Sequence, residues 1–319
     1  MKILKLRIGP RVLVYRFYNL LSCIWFIPFG FYKGPIFATG IVPHPLKPRT
    51  FRDLIMNKMI IPDNIFRAVV ADKIAARGWV AERIGREILV PLYDICETAK
   101  QVCQNEYPYP YVVKTSHASG QCFFVRNNTE RAQMHKTIVK WHEHEHNPKT
   151  EWAYRGIKRK FLVEKMLIDD QQTETIDIKL FCFFGEPVLI YRIVDRAEVT
   201  KKVFLTTEWQ HIDLQYNIIT EKKAPPKPEN LSEILQMGAR LAQGFDFIRV
   251  DLLIFRGKIF FSELTNFPEA GQQLFQPHDY DKFLLETYHR IRREKIKEAR
   301  DDFHDSVCQD MINRLGKAQ

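Results

Sequence analysis

Two acidic residues on neighbouring predicted strands carry the clearest chemical signal in this sequence. An apolar strand ends at Asp251, and the next strand, which follows a turn at residues 256–257, ends at Glu263. Antiparallel neighbours of this kind place both carboxylates at one edge of a sheet. Mg²⁺ favours carboxylate oxygens combined with nucleotide phosphates. The pair therefore predicts a magnesium and nucleotide site, although two acids at strand ends also occur as solvated edge groups.

A second group of residues suits phosphate binding. Residues 111–114 form a short apolar strand that ends in Lys114, and the small, hydroxyl-rich loop 115–120 separates it from another strand at 121–126. Small residues let backbone N–H groups approach phosphate oxygens, and the lysine adds a positive charge. The loop contains one glycine and matches no Walker pattern, so a surface hairpin with an incidental lysine is the alternative.

The strands between these two groups supply further charged residues. An apolar strand is predicted at 160–167, and residues 176–184 and 187–191 form a predicted hairpin. Alternation along the first strand of this hairpin places Asp177 and Lys179 on one face. An acid and a base side by side on that face indicate either a salt bridge or a functional site.

The elements that must position these residues mix helices with strands. Helical periodicity covers residues 50–85, a β-type run follows at 87–91, and a further helix is predicted at 95–104. Apolar residues at helical spacing return at 283–315. The whole pattern predicts an α+β fold.

Composition and charge limit the classes of partner. The chain has 319 residues, 45% of them hydrophobic, so it can bury a sizeable core, and its net charge of +10 favours acidic partners. The basic residues are scattered and no nucleic-acid-binding motif occurs, so no nucleic acid partner is expected. Six cysteines without a CxxC pair indicate reduced thiols and a cytoplasmic location.

The N-terminal segment is basic and aromatic. Its uncharged run at residues 17–32 is shorter than the roughly 20 residues that cross a bilayer. The segment lacks a small-x-small cleavage site, which disfavours a secretory signal. Two alternatives remain open: a helix in peripheral contact with the cytoplasmic face of the inner membrane, and an ordinary helix packed on the domain.

A zinc motif competes with the nucleotide site. His142, Glu143 and His146 satisfy the H-E-x-x-H pattern, which on a helix places two zinc ligands on one face with the glutamate as base. The dipeptide Asn147-Pro148 ends the helix at the motif, and no third ligand follows. A zinc hydrolase is therefore a less favoured alternative.

The order of these parts resembles the ATP-grasp superfamily, and in detail its TupA-like branch, which is associated with teichuronopeptide and polysaccharide biosynthesis. The resemblance runs from about residue 51 to residue 283. It rests on Asp72-Lys73, Trp79-Val80, residues 112–114, His117, Ser119-Gly120, residues 152–154, Val163-Glu164, residues 177–183, Gly185, residues 245–251, residues 263–265, Pro268 and Gly271.

The resemblance implies an ATP-grasp fold, in which two α+β subdomains enclose the nucleotide. It adds an N-terminal extension and a C-terminal helix. The expected divisions are an N-terminal segment with its linker (residues 1–48), an N-terminal α/β subdomain (49–106), a flap subdomain (107–165), a catalytic subdomain (166–282) and a basic amphipathic helix (283–319).

The resemblance also implies roles for individual residues. Lys114 and its loop are expected at the ATP phosphates, residues 164–167 at the adenine and Asp177 at the ribose. The full set expected to bind ATP is Lys114, Ser116, His117, Ser119, Gly120, Glu164, Lys165, Leu167 and Asp177. Ala118 stands where the family usually has glycine, which puts the shape of the phosphate loop in doubt.

The implied reaction centre lies on the last three strands. Lys179 is expected near the phosphates or the acceptor, and Arg249 is expected to neutralise the transferring phosphoryl group. Asp251 and Glu263 are expected to hold Mg²⁺. Either Thr265 or Asn266 could supply the third oxygen ligand. Thr265 stands where many relatives have asparagine, and Asn266 follows it.

The implied chemistry is ATP-dependent joining of a carboxylate to an amine. A carboxylate attacks the γ-phosphate to give an acyl phosphate, and an amine captures it as an amide. The expected partners are an amino acid and an acidic glycan or sugar carboxylate. A kinase acting on a sugar or glycan hydroxyl on the same scaffold is the main alternative.

Overall fold

The computed structural model describes residues 35–36, 39–143, 151–168, 175–194, 201–216 and 220–316, with the side chains of 142–143 and 303–316 outside that description. Three helices follow the Pro-rich connector: α1 (Phe51–Ile60), α2 (Phe66–Ala71) and α3 (Lys73–Arg83). Helix α1 begins at Thr50, whose side chain accepts a hydrogen bond from the Asp53 N–H. The helical periodicity predicted over 50–85 is confirmed.

A four-stranded antiparallel sheet comes next. It consists of β1 (Leu92–Cys96), β2 (Tyr111–Thr115), β3 (Cys122–Val125) and β4 (Phe161–Lys165), in the order β1-β4-β2-β3. Helices α4 (Ala99–Gln104) and α5 (Asn128–Glu143) share a core with one face of this sheet. Lys114 and Glu164 alternate with core residues along their strands and so lie on the other face.

The structure moves two predicted elements in this region. The predicted strand at 87–91 makes one bridge, from Leu89 to Phe261, and the regular strand β1 lies just after it. The predicted helix at 95–104 begins only at Ala99. Thr98 and Gln101 form a capping box at that point, which fixes the start of the helix. The predicted division at residue 106 falls within one sheet, since β1 precedes it.

A six-stranded antiparallel sheet carries most of the predicted site. It consists of β5 (Ile176–Phe183), β6 (Glu186–Val194), β7 (Lys201–Leu205), β8 (His211–Ile212), β9 (Phe247–Phe255) and β10 (Lys258–Thr265), in the order β10-β9-β5-β6-β7-β8. The predicted hairpin of residues 176–184 and 187–191 is confirmed as β5 and β6.

Both faces of this sheet are covered. Ile178 and Leu180 of β5 share one core with α3 and with α6 (Leu231–Ala242). Phe181 and Phe183 share the other core with α1 and with the C-terminal helix α7 (His278–Gly316). The apolar periodicity predicted at 283–315 thus belongs to α7. No helix in the described ranges combines the length and apolar character that a membrane crossing demands.

A tight hairpin joins β9 to β10. Its two turn residues, Arg256 and Gly257, have φ angles of 50° and 74°. Positive φ at both positions is the geometry of a two-residue turn that matches the twist of the flanking strands. The turn sets the register as far as Phe261 opposite Leu252, and a shift in register between Phe261 and Glu263 then places Glu263 directly opposite Asp251.

Candidate active site

The predicted acid pair lies on β9 and on β10, which is an edge strand of the six-stranded sheet. We expected Asp251 and Glu263 at strand ends, but β9 continues to Phe255 and β10 to Thr265. The expectation was wrong for Asp251, because β9 remains largely buried beyond it and neighbouring cations neutralise Asp251 within the sheet. The two carboxylates face each other across the strands, as predicted from the antiparallel pairing.

Asp251 is completely buried and bound by two cations. The Lys179 Nζ lies 2.5 Å from its Oδ2. The guanidinium of Arg249 donates from Nε to Oδ1 and from Nη2 to Oδ2, each at 2.7 Å. Such a two-point contact fixes the direction of both groups as well as their distance. The arginine therefore presents its remaining donors toward β10.

The charges around the acids shift their pKa values in opposite directions. Burial raises the pKa of Asp251, although Arg249 and Lys179 oppose the shift. Burial also acts to raise the pKa of Glu263, but attraction to Lys73, Lys179 and Arg249 outweighs it and lowers the value to about 2. Glu263 is thus a carboxylate at any physiological pH.

Thr265 and Asn266 occupy very different environments. The Thr265 hydroxyl lies 3.2 Å from Oε1 of Glu263 and accepts a hydrogen bond from Arg249 at 2.9 Å. The Asn266 side chain is fully buried, and its amide nitrogen donates to the backbone carbonyl of Arg67 at 2.9 Å. Of the two residues predicted as the third ligand, only Thr265 lies beside the acid pair through a direct contact.

These oxygen groups fit the requirements of a magnesium ion. Mg²⁺ is usually bound by one or two carboxylates together with substrate phosphates and water, and not by a cage of protein ligands. Asp251 and Glu263 would supply the two carboxylates. The part of the chain that the structure describes contains no cluster of three or more His, Cys, Asp or Glu side chains suited to a metal.

Lys114 binds an acid that we predicted at the adenine. Its Nζ lies 2.8 Å from Oε2 of Glu164, and Arg77 contacts the other oxygen of the same carboxylate at 2.8 Å. Although burial acts to lower the pKa of Lys114, attraction to Glu164, Cys122 and Glu263 raises it. The direct partner of Lys114 is therefore Glu164, on the neighbouring strand of the four-stranded sheet.

The loop after β2 divides into a structural half and an exposed half. The Ser116 hydroxyl donates to the Lys158 carbonyl at 2.8 Å and accepts from the Lys160 N–H at 3.1 Å. His117 is buried, whereas Ser119 and Gly120 are exposed. Ser116 consequently shapes the loop, and the exposed half is the part that a phosphate can reach directly.

Lys73 is a site residue that the sequence reasoning did not select. Its Nζ donates to the Ala118 carbonyl of the phosphate loop at 2.7 Å. Burial lowers its pKa, while attraction to Glu263 raises it and repulsion from Lys114 lowers it. It lies at the first position of α3, so its place depends on how that helix packs. The dipeptide Asp72-Lys73 was the only signal available in the sequence.

Two tyrosines complete the surroundings of the acid pair. Tyr154 lines a small pocket with Lys73 and Glu263, and burial raises the pKa of its hydroxyl, with Glu151 and Glu263 adding to the effect. The ring of Tyr191 lies under Arg249, whose Cζ is 5.7 Å from the ring centroid. Both rings therefore lie next to the charged groups of the candidate site.

The other predicted nucleotide residues lie on β5 and at or just beyond the end of β4. Lys165 is exposed at the end of β4, and Leu167 follows it half-buried. Asp177 is buried on β5, with Oδ1 3.4 Å from the Nζ of Lys179. The predicted placement of an acid and a base on one face of this strand is confirmed.

The zinc motif lies largely outside the described residues. Helix α5 ends at Glu143, and the side chains of His142 and Glu143 and the whole of His146 are not described. The N-terminal aromatic run at 17–32 also lies outside the described residues.

A family model matches most of the chain. The TupA-like ATPgrasp model matches residues 55–289. The protein is an ATP-dependent ligase with the ATP-grasp fold. The chain belongs to the TupA-like ATP-grasp family, so the resemblance stated from the sequence motifs is confirmed.

Solved structures with some similarity include D-alanine–D-alanine ligase from Bacillus anthracis, at 17% identity over 71% of this chain and 70% of that one, with a TM-score of 0.40. The same ligase complexed with ATP has 16% identity over 71% and 68%, with a TM-score of 0.39. N5-carboxyaminoimidazole synthetase from Staphylococcus aureus has 11% identity over 62% and 44%, with a TM-score of 0.38. No curated protein matches the chain.

Proposed function

We propose that this protein is a magnesium-dependent carboxylate–amine ligase that forms an acyl phosphate and attaches an amino acid to an acidic glycan or its sugar precursor. One observation supports the proposal above all others. Carboxylates suited to a metal, Asp251 and Glu263, lie beside the two-point contact of Arg249, and two lysines, Lys73 and Lys114, approach them from outside the six-stranded sheet.

The charges can exchange partners when a nucleotide binds. In the protein alone, Asp251 is bound by Lys179 and Arg249. Phosphate oxygens would compete for both cations and leave the oxygens of Asp251 available. Asp251 and Glu263, with Thr265, would then hold Mg²⁺, which when bound neutralises phosphate charge. Lys73 and Lys114 would bind the rest of the triphosphate.

The first step is attack of a carboxylate oxygen on the γ-phosphorus, which forms a phosphorus–oxygen bond and breaks the bond to the β-phosphate oxygen, releasing ADP. Arg249 is held by Asp251 in a fixed direction and would stabilise charge on the transferring group. In the second step an amine nitrogen attacks the carbonyl carbon, the carbon–oxygen bond to phosphate breaks and phosphate leaves, and the nitrogen loses one proton to solvent and keeps the other as the amide N–H. Lys179 would stabilise the departing charge.

The acceptor is inferred from charge. The net charge of +10 favours an anionic partner such as a uronic-acid polymer or an acidic sugar precursor of a capsule or O-antigen. We place the reaction in the cytoplasm, where ATP is available, with the basic N-terminal segment as a peripheral contact with the membrane.

The test is a screen for ADP release. Amino acids and uronic-acid oligosaccharides are supplied singly and in pairs with MgATP. The proposal expects ADP release only when a carboxylate and an amine are both present, together with an amide-linked product. Release with a hydroxyl acceptor alone and a stable phosphorylated product would instead identify a kinase.

Two variants control for contaminating activity. Asp251→Asn should abolish the ADP release that requires both substrates. Asp213→Asn, which alters an exposed aspartate, should keep it. Equal ADP release by the parent and Asp251→Asn proteins would contradict the proposal.

A further inference from the structure

A second charged pair lies on the same face of the six-stranded sheet as the acid pair. The Nζ of Lys202, on β7, is 3.1 Å from Oε1 of Glu269, which lies in a short 3-10 turn (Pro268–Gly271) after β10. Lys202 is only 3% exposed, whereas the side chain of Glu269 is 29% exposed. Lys202 is therefore held inside the protein, where its Nζ also donates to the Tyr216 carbonyl at 3.4 Å, and Glu269 is the member of the pair that solvent reaches.

Aromatic rings connect this pair to the reaction centre. The Nζ of Lys202 lies 5.2 Å from the ring centroids of both Tyr191 and Tyr216. The Cζ of Arg249 also lies over the Tyr191 ring, 5.7 Å from its centroid. A molecule bound at the Lys202–Glu269 pair would thus lie one ring away from the arginine at the acid pair.

The backbone that carries Glu269 is strained. Glu269 and the next residue, Ala270, have φ angles of 50° and 49°, a region that residues with a side chain rarely adopt. At Gly271 a Cβ would approach the Cγ of Met56 to 2.6 Å. Strain of this kind persists where the surrounding structure holds it in place, and it concentrates at ligand sites.

The local charge favours a second anion at Lys202. Burial lowers its pKa and Glu269 raises it, but the nearby cations Arg249 and Lys179 lower it further. A buried ion pair by itself is weak evidence for a stabilising role. A buried lysine with one anionic partner, near Arg249 and Lys179, would gain from an additional carboxylate, and Glu269 would gain from an additional ammonium group.

We propose that Lys202 and Glu269 form the amino-acid subsite of this enzyme, with Lys202 binding the α-carboxylate and Glu269 the α-ammonium group. The inference rests on the proposed ligase function and assigns one of its two substrates to a place in the fold. A glycan carboxylate alone would meet the negative charge of Glu269, and an amine alone would meet Lys202. A zwitterion satisfies both groups.

The test uses amino acids and their analogues as probes. The twenty proteinogenic L-amino acids are screened for a change in MgATP-dependent ADP release in the presence of a uronic-acid oligosaccharide. The most active amino acid is then compared with its α-carboxamide, which lacks the carboxylate, and with its desamino acid, which lacks the ammonium group. Lys202→Met and Glu269→Gln each remove one charge and keep most of the side-chain shape.

The subsite predicts a specific pattern of losses. Lys202→Met should raise the KM for the amino acid at least tenfold, as expected for the loss of a charge-assisted hydrogen bond, and leave the KM for the carboxamide unchanged. Glu269→Gln should do the same for the amino acid and leave the desamino acid unchanged. The KM for ATP should change in neither variant.

A matched control comes from the neighbouring residue on the same strand. Lys201 lies on the opposite face of β7, half-exposed and 3.7 Å from Glu221. Lys201→Met should therefore leave the amino-acid KM unchanged. Retention of the MgATP-induced rise in Tm shows that each variant is folded and that its nucleotide site is intact.

Two results would overturn the subsite without touching the nucleotide site. The first is an enzyme that MgATP stabilises but whose ADP release and Tm no amino acid changes. The second is a Lys202→Met variant that loses affinity equally for the amino acid and its carboxamide, which is the result of a purely structural role. Absence of any MgATP stabilisation would instead contradict the proposed ligase function.

Discussion

Replacing Asp251 by asparagine should destabilise the protein in the absence of any ligand. The carboxylate is completely buried and receives Lys179 at 2.5 Å and both donors of Arg249 at 2.7 Å. Asparagine keeps the shape but removes the charge, so the two buried cations lose their closest anion and keep only the longer contacts of Lys179 with Asp177 at 3.4 Å and of Arg249 with Glu263 at 3.5 Å. Breaking a buried charge network by removing one partner costs about 3–5 kcal/mol. We expect a loss of that size in the free energy of unfolding.

The measurement is urea unfolding of the parent and Asp251→Asn proteins without nucleotide. Asp213→Asn is the matched control, because Asp213 is exposed and a surface change of this kind is expected to shift stability by less than about 0.5 kcal/mol. A loss below about 1 kcal/mol for Asp251→Asn would refute the reasoning, since it would mean that the two cations do not depend on this carboxylate.

Three further predictions concern neighbouring groups. Arg249→Lys keeps the charge but loses the two-point contact, so kcat should fall about a hundredfold, with little change in the KM for ATP in steady-state assays. Glu164→Gln removes the anion that holds Lys114, so the KM for ATP should rise about tenfold, whereas Glu130→Gln, in an exposed ion pair, should not change it. Burial raises the pKa of Asp281 from 3.8 to about 6. Between these two values the folded protein binds a proton that the unfolded chain has released. The resulting stabilisation of the folded state is complete below about pH 3.8 and is lost as pH rises through about 6. Between about pH 4 and 7, urea unfolding should show about 3 kcal/mol more loss of stability for the parent than for Asp281→Asn, at 1.36 kcal/mol per pKa unit; equal losses would contradict it.

The hairpins of the catalytic sheet could be predicted from the sequence because their signals are local. Alternation of side chains identified β5 and placed Asp177 and Lys179 together, and a two-residue turn identified the β9–β10 pair. Each step used neighbours within a few residues, which is the range over which sequence periodicity is informative. The exact pairing of Asp251 with Glu263 also depends on a register shift between Phe261 and Glu263, which the turn alone does not predict.

The depth of the acid pair could not be predicted, since it depends on distant partners. From the sequence alone, an acid inside an apolar strand predicts that the strand ends there, unless the cations that neutralise the acid are known. Lys179, one of those cations, lies 72 positions from Asp251 in the chain. The choice between Thr265 and Asn266 depends likewise on tertiary contacts, because the Asn266 amide is fixed by the backbone of Arg67.

Lys73 illustrates the same limit for helices. The N-cap at Asp72 predicts where α3 begins, but not which part of the protein its first turn approaches. Only the packing of α3 against the phosphate loop brings the Lys73 ammonium to the Ala118 carbonyl. A sequence pattern therefore identifies the lysine, and its tertiary contacts identify its function.

The central claim is that Asp251 and Glu263 hold a divalent cation against a nucleotide. Calorimetric titration of a non-hydrolysable ATP analogue tests it most directly, with Mg²⁺ or with EDTA, into the parent protein and Glu263→Gln. We predict tight binding to the parent only when Mg²⁺ is present and at least a tenfold loss of affinity in the variant. Equal affinity with and without Mg²⁺, or equal affinity for the two proteins, would contradict the account.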